Sequence, residues 1–245
     1  MKKIGVASIW SLIFFCACVK NENLVKPVPI SALTIVNASI GSSPVAADFN
    51  GDSIQWFSDA RTIGYGSSYE YSMPSGRIIT TLYQMSDTMN GVYYGFLDLE
   101  PAGIYSLFLC GQAPQSGKID MDTLFINDNP PYYSASDSVT GVRFVNLSFG
   151  SNPISVNIQG MQSQPIVKSL AYKSLTGFTA FPATATNPVT KKYIFEFRDA
   201  SSGTLITTYS YSSIQRFKNV TIALKGLAGV TTGVSAQGAF LINNF

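Results

Sequence analysis

Histidine is absent from the 245 residues. Without an imidazole, Ser-His-Asp and Cys-His catalysis are excluded, as is the commonest zinc ligand. The G-x-S-x-G nucleophile elbow and the S-x-x-K motif are missing too. Charge is scarce: Asp, Glu, Lys and Arg make up 12% of the chain, with 16 basic against 14 acidic residues. No basic face exists to track phosphates, which excludes nucleic acid as a partner. No stretch beyond the N-terminus carries a capped apolar stripe of helical period. Cysteine is limited to Cys16, Cys18 and Cys110.

Two of those cysteines close an oily run. Met1-Lys2-Lys3 precedes apolar residues from Ile4 to Phe15, then Cys16-Ala17-Cys18. The run is too short for a bilayer span, which needs roughly 20 apolar residues. Its basic start and small residue before a cut site match a secretory signal. The pattern resembles a bacterial lipoprotein signal, with Ala17 meeting the small-residue requirement ahead of Cys18. That resemblance implies loss of residues 1–17 and acylation (palmitate among the chains) at Cys18, anchoring the chain to a membrane. The alternatives are an ordinary secreted protein with two incidental cysteines, and a metal pair, for which no third ligand lies nearby. Residues 18–31, with Pro27 and Pro29, read as a tether. Lys20 and Glu22 resemble the export signal of surface lipoproteins of the Bacteroidetes type, although Asn21 interrupts it. The expected location is the outer membrane on the cell surface, with the periplasmic face as the alternative. Cys110 then has no cysteine to pair with, and in "GIYSLFLCG" it reads as a buried, inert thiol.

What is abundant is repetition. "LTIVNASIGSSPVAADFNG" (33–51) aligns without a gap on "VRFVNLSFGSNPISVNIQG" (142–160), sharing Asn37/Asn146, Ser39/Ser148, Gly41/Gly150 and Pro44/Pro153. Further on, "GYGSSYEY" echoes "AYKSLTGF", pairing Tyr65 with Tyr172, and "IYSLFLCG" echoes "NVTIALKG". A repeat this long is domain-sized. Alternation in "YIFEFR" and "LITTYSY" around Ser201-Ser202-Gly203 reads as a hairpin. In "NVTIALKG" the alternation places Val220, Ile222 and Leu224 in a core and sends Thr221 and Lys225 to water. The fold class is therefore all-β: two tandem antiparallel, immunoglobulin-like sandwiches, at 32–130 and 141–245, joined by a linker at 131–140.

"VRFVNLSFGSNPISVNIQG" followed by "SLAYKS" resembles domain of unknown function 4397, a family of bacterial envelope proteins often found in tandem. Leu33-Thr34-Ile35 replaces Val-Arg-Phe in the first copy. The resemblance implies β-sandwiches on a lipoprotein and brings no activity.

Candidate functional residues are few. Trp56 with Tyr65, Tyr69 and Tyr71 offers an aromatic platform for sugar rings, set against ordinary core packing, which the Tyr65/Tyr172 match favours. The doubled Asn-x-Ser-x-Gly-Ser-x-Pro reads as turn chemistry rather than a binding loop, and its N-glycosylation match as idle. Ser53, Thr88, Thr123 and Ser138 each follow an aspartate and precede an apolar residue, resembling the Bacteroidetes O-glycosylation acceptor. Asp98 and Glu100 share a strand face as a glycosidase pair would, but "LDLEPAG" reads as a strand end. "KIDMDTLFINDN" is acid-rich, yet it lacks the EF-hand pattern, so neither a metal site nor a cofactor is expected. The expected function is a non-catalytic, lipid-anchored envelope protein, a binding or structural module for a glycan or an envelope protein. The alternatives are a fimbrial or adhesin subunit and a carboxylate-based glycan-active enzyme.

Overall fold

The computed structural model describes residues 28–52, 54, 60–114, 118–134, 136–161, 163–183, 192–212 and 214–244. Among these the fold is all-β. The first sandwich is built from β1 (Ile30–Asn37), β2 (Val45–Phe49), β3 (Thr62–Ile63), β4 (Ser67–Pro74), β5 (Gly76–Gln84), β6 (Asp87–Leu99), β7 (Ile104–Cys110) and β8 (Asp122–Asn127). Its sheets run β4-β1-β7-β8 and β3-β2-β5-β6. The second sandwich contains β9 (Val139–Asn146), β10 (Ile154–Ile158), β11 (Val167–Leu170), β12 (Ser174–Leu175) and β13 (Thr179–Pro182). It is completed by β14 (Tyr193–Asp199), β15 (Leu205–Tyr211), β16 (Asn219–Lys225) and β17 (Gly238–Asn243). Its sheets run β12-β9-β16-β17, with β13 also on β9, and β11-β10-β14-β15.

One ladder in each sandwich is parallel rather than antiparallel: β1 with β7, starting at Ala32↔Ile104, and β9 with β16, starting at Gly141↔Asn219. The long path through the rest of each sandwich supplies the crossover that a parallel pair requires.

The repeated asparagines explain why the first turn of each unit forms. Fully buried Asn37 accepts from the Ser39 amide at 3.2 Å and donates through Nδ2 to the Ile63 carbonyl at 3.1 Å. Asn146 repeats this with the Ser148 amide and the Leu170 carbonyl, both at 3.1 Å. Each amide thus finishes a turn and ties one sheet to its mate across the sandwich. Gly41 and Gly150 follow at φ +77° and +73°, a conformation costly for any residue with a Cβ. The idle reading of the sequons agrees with amides sealed in the interior.

Three apolar clusters stack through the molecule. One fills the first sandwich around Leu33, Leu82 and Leu107, and another fills the second around Phe144, Phe195 and Phe197. The third lies between the sandwiches and joins Val36, Phe108 and Cys110 to Val145, Leu147 and Ile242. Sheets β4-β1-β7-β8 and β12-β9-β16-β17 are therefore covered on both faces, and the four sheets form one stack. This corrects the expectation for β16. Thr221 faces the other sandwich and is fully buried, not hydrated, and Lys225 is half-buried. Burying large apolar side chains at this seam contributes roughly 1.5–3 kcal/mol each.

Candidate functional site

The seam holds the strongest electrostatic feature. Arg143, the arginine of "VRF", is 1% exposed and places Nη2 2.5 Å from Asp128 Oδ1, across the two sandwiches. Its Nε donates to Thr221 Oγ1 at 2.7 Å, and Thr221 donates to Asn244 Oδ1. Ser106 donates to Asp128 Oδ2 at 2.7 Å. Phe178 lies under the guanidinium, 4.7 Å from ring centroid to Cζ. Burial lowers the Arg143 pKa, and the Asp128 carboxylate opposes that shift. A buried pair this well saturated survives because each charge has an opposite charge and further hydrogen bonds.

A second clamp closes one end of the seam. Lys173 Nζ stands 2.5 Å from Asp122 Oδ1, and the Tyr172 hydroxyl donates to Oδ2 at 3.1 Å. Burial alone would raise the Asp122 carboxyl, but the hydrogen bond and charge of Lys173, with Tyr172, hold it below its ordinary value. The hydrogen bond that Lys173 donates to Asp122 raises its ammonium against burial. Buried Cys110 is pushed up to about 12 by desolvation, which makes it an inert thiol at neutral pH.

The expected aromatic platform is divided. Tyr65 packs on the seam with Lys225 Nζ 4.0 Å from its ring centroid, and its hydroxyl is buried without a hydrogen-bond partner. Tyr69 and Tyr71 do meet, edge to face at 4.8 Å, with Tyr71 also on Phe49 at 5.0 Å. Burial, with Tyr69 adding to it, pushes the Tyr71 hydroxyl up to about 12 despite Arg61. That pair sits on the margin of the first core, and Tyr69 is 40% exposed. Trp56, Ser53 and Cys18 lie outside the described residues. Of the remaining hydroxyls, Thr88 opens β6, Thr123 lies on β8, and Ser138 precedes β9 at φ +46°; all three are half-buried. Asp98 pairs loosely with Arg77 at 4.0 Å, both well exposed, and Glu100 begins the turn into β7. Asp122 and Asp128 of the acid-rich segment are each engaged by a cation of the second sandwich.

The sequence reading missed the mouth of the second sandwich. There a cleft of about 410 Å³ opens between β15 and β17, lined by Tyr211, Gln215, Lys218, Asn219, Leu241 and Asn243 with Val220. Its signal lay in the repeat itself, where Val220 and Leu241 stand against larger residues in the first copy. It also missed an exposed aromatic pair on β6, Tyr94 and Phe96, with ring centroids 5.8 Å apart.

No family model matches the chain, so the likeness to domain of unknown function 4397 rests on the residues quoted above. No curated protein matches either. Among solved structures, the chain is similar to the Bacillus anthracis TIE protein at a TM-score of 0.24 and 9% identity. That match covers 80% of this chain and 34% of the other, so the chain spans about a third of that protein's length. It is also similar to a DUF3823 family protein from Bacteroides ovatus at a TM-score of 0.19 and 11% identity, covering 77% and 98% of the two chains.

Proposed function

We propose that this chain is a non-catalytic, lipid-anchored envelope protein of the Bacteroidetes type whose two sandwiches act as one rigid binding module on the outer membrane. The observation that carries the reading is Ala17-Cys18 at the end of a short oily run, a tether's length ahead of an all-β body. Acylation at Cys18 provides stable residence at the membrane. Support for a single module comes from the seam, where Arg143 and Asp128 bridge the sandwiches in the interior. A rigid body presents its ligand site in a fixed orientation, which lowers the ordering cost of binding. The resemblance to domain of unknown function 4397 belongs to this reading, as does modification at Ser138.

The test is metabolic labelling of the native host with an alkyne fatty acid, followed by protease treatment of intact cells. The wild type is expected to carry label, the Cys18→Ser variant none, and the body to be degraded while a periplasmic control is spared. Unlabelled wild-type protein overturns the anchor. Protection until lysis moves the protein to the periplasmic face.

A further inference from the structure

The two copies can be compared residue by residue because their ladders share one register. Ala32↔Ile104 in the first copy corresponds to Gly141↔Asn219 in the second, which makes Tyr105 the counterpart of Val220. Likewise Tyr105↔Asn127 and Leu107↔Phe125 correspond to Val220↔Asn243 and Ile222↔Leu241. Phe125 is thus the counterpart of Leu241.

In the first sandwich these positions form a plug. The Tyr105 and Phe125 rings stack with centroids 5.4 Å apart and an interplanar angle of 11°. The Tyr105 hydroxyl accepts from the Glu100 amide at 2.9 Å. Gly103 makes room for it, since a Cβ there would lie 2.5 Å from the tyrosine ring. In the second sandwich Val220 and Leu241 are too small to meet in this way, and Lys218 takes the place of Gly103. The connection into β16 is residues 212–218, against 100–103 in the first copy. The same mouth that is plugged in one copy is an open cleft of about 410 Å³ in the other. That volume falls in the range of small-ligand sites.

Its lining indicates what it takes. Val220 and Leu241 give an apolar floor, while Gln215 and Asn243 offer amides that both donate and accept. Asn219 is 5% exposed, and its Nδ2 donates to the Pro131 carbonyl at 2.9 Å, which fixes this edge of the lining. Lys218 is exposed and enters no ion pair among the described residues, and exposed Arg216 lies two residues away. Exposed Glu70, across the seam, lies within electrostatic reach of Lys218. We propose that this cleft binds a saccharide carrying a carboxylate, with amides on the hydroxyls, Lys218 on the acid and the apolar floor under the C–H face. The proposal rests on the binding-module reading and gives it a ligand class.

Calorimetric titration of the full chain in detergent, with a tetramer of galacturonic acid as probe and maltotetraose as neutral control, tests it. Saturable binding of the acidic sugar alone is expected. Lys218→Gln should weaken it roughly tenfold, the loss of one charge-assisted contact. Val220→Tyr with Leu241→Phe and Lys218→Gly, which transplants the plug together with the glycine that makes room for it, should abolish it. If that triple variant fails to fold, Asn243→Asp places a repelling charge in the cleft and should weaken binding roughly tenfold. No binding to wild type, equal binding of the neutral sugar, or unchanged binding by the folded variants overturns the proposal. The anchor is read separately by the Cys18 labelling, so either can fail alone.

Discussion

The two sandwiches share a scaffold and differ where they touch and where they open. Both use a buried asparagine at the end of the first strand, a glycine of positive φ, and a parallel ladder between first and penultimate strands. At the seam, though, Thr34, Ser106 and Asp128 of one copy stand where the other has Arg143, Thr221 and Asn244, by the same register. The Thr34 hydroxyl is buried with no hydrogen-bond partner, whereas its counterpart Arg143 anchors the whole network. What the copies keep builds the sandwich. What they change makes the two halves complementary to each other and leaves one mouth open.

The comparison breaks most sharply at Arg143. Arg143→Thr copies the first sandwich into the second and strands the Asp128 carboxylate in the interior. The expected cost is about 3–5 kcal/mol in urea unfolding at neutral pH. Adding Asp128→Asn removes the stranded charge and makes the seam neutral on both sides, so the double variant should recover at least half of that loss. Strictly additive single effects would show that the seam is not one coupled unit.

The asparagines sharpen the comparison from the opposite direction. Asn37→Ala and Asn146→Ala each strand a buried amide and a buried carbonyl, at a cost of about 1–3 kcal/mol. If the turns are one device used twice, the two losses agree and add, since the sites serve different cores. A large loss at Asn146 with none at Asn37 would mean that the turns hold by different means.

These same residues show what a sequence can and cannot disclose. Asn37, Gly41 and their counterparts act within a few positions of themselves, so turn chemistry and repetition made them legible. Thr221 was not legible, because a period-two pattern separates two faces of a strand but does not say whether the second meets water or another sheet. The warning lay in β1, β7, β9 and β16, where "LTIV", "YSLFLC" and "VTIAL" are apolar or hydroxylic on both faces and "VRFV" departs from this only at Arg143, as doubly covered strands do. Tyr65 was legible as a packing residue through Tyr172. The repeat already sets Tyr105 against Val220, but that this exchange opens a mouth required the packing around the two positions, which no alignment supplies.

The smallest expected effect concerns the seam's outer clamp. Asp122 titrates below its ordinary 3.8, so its contribution is present above that value and is lost as pH falls through its folded pKa. Lys173 titrates above its ordinary 10.5, so its contribution is complete below that value and fades as pH rises through its folded pKa. The clamp is therefore at full strength between about pH 4 and 10.5. Both side chains keep about a third of their surface in water, at 33% and 39%, so screening limits the pair to about 0.5–1 kcal/mol. Asp122→Asn should lower the unfolding midpoint by a few degrees at pH 7, and the difference should shrink progressively as pH falls below 3.8. High salt should shrink the pH 7 difference, whereas the loss at Arg143 should resist salt because that pair is buried. Equal salt sensitivity at both positions would mean that water reaches the inner seam.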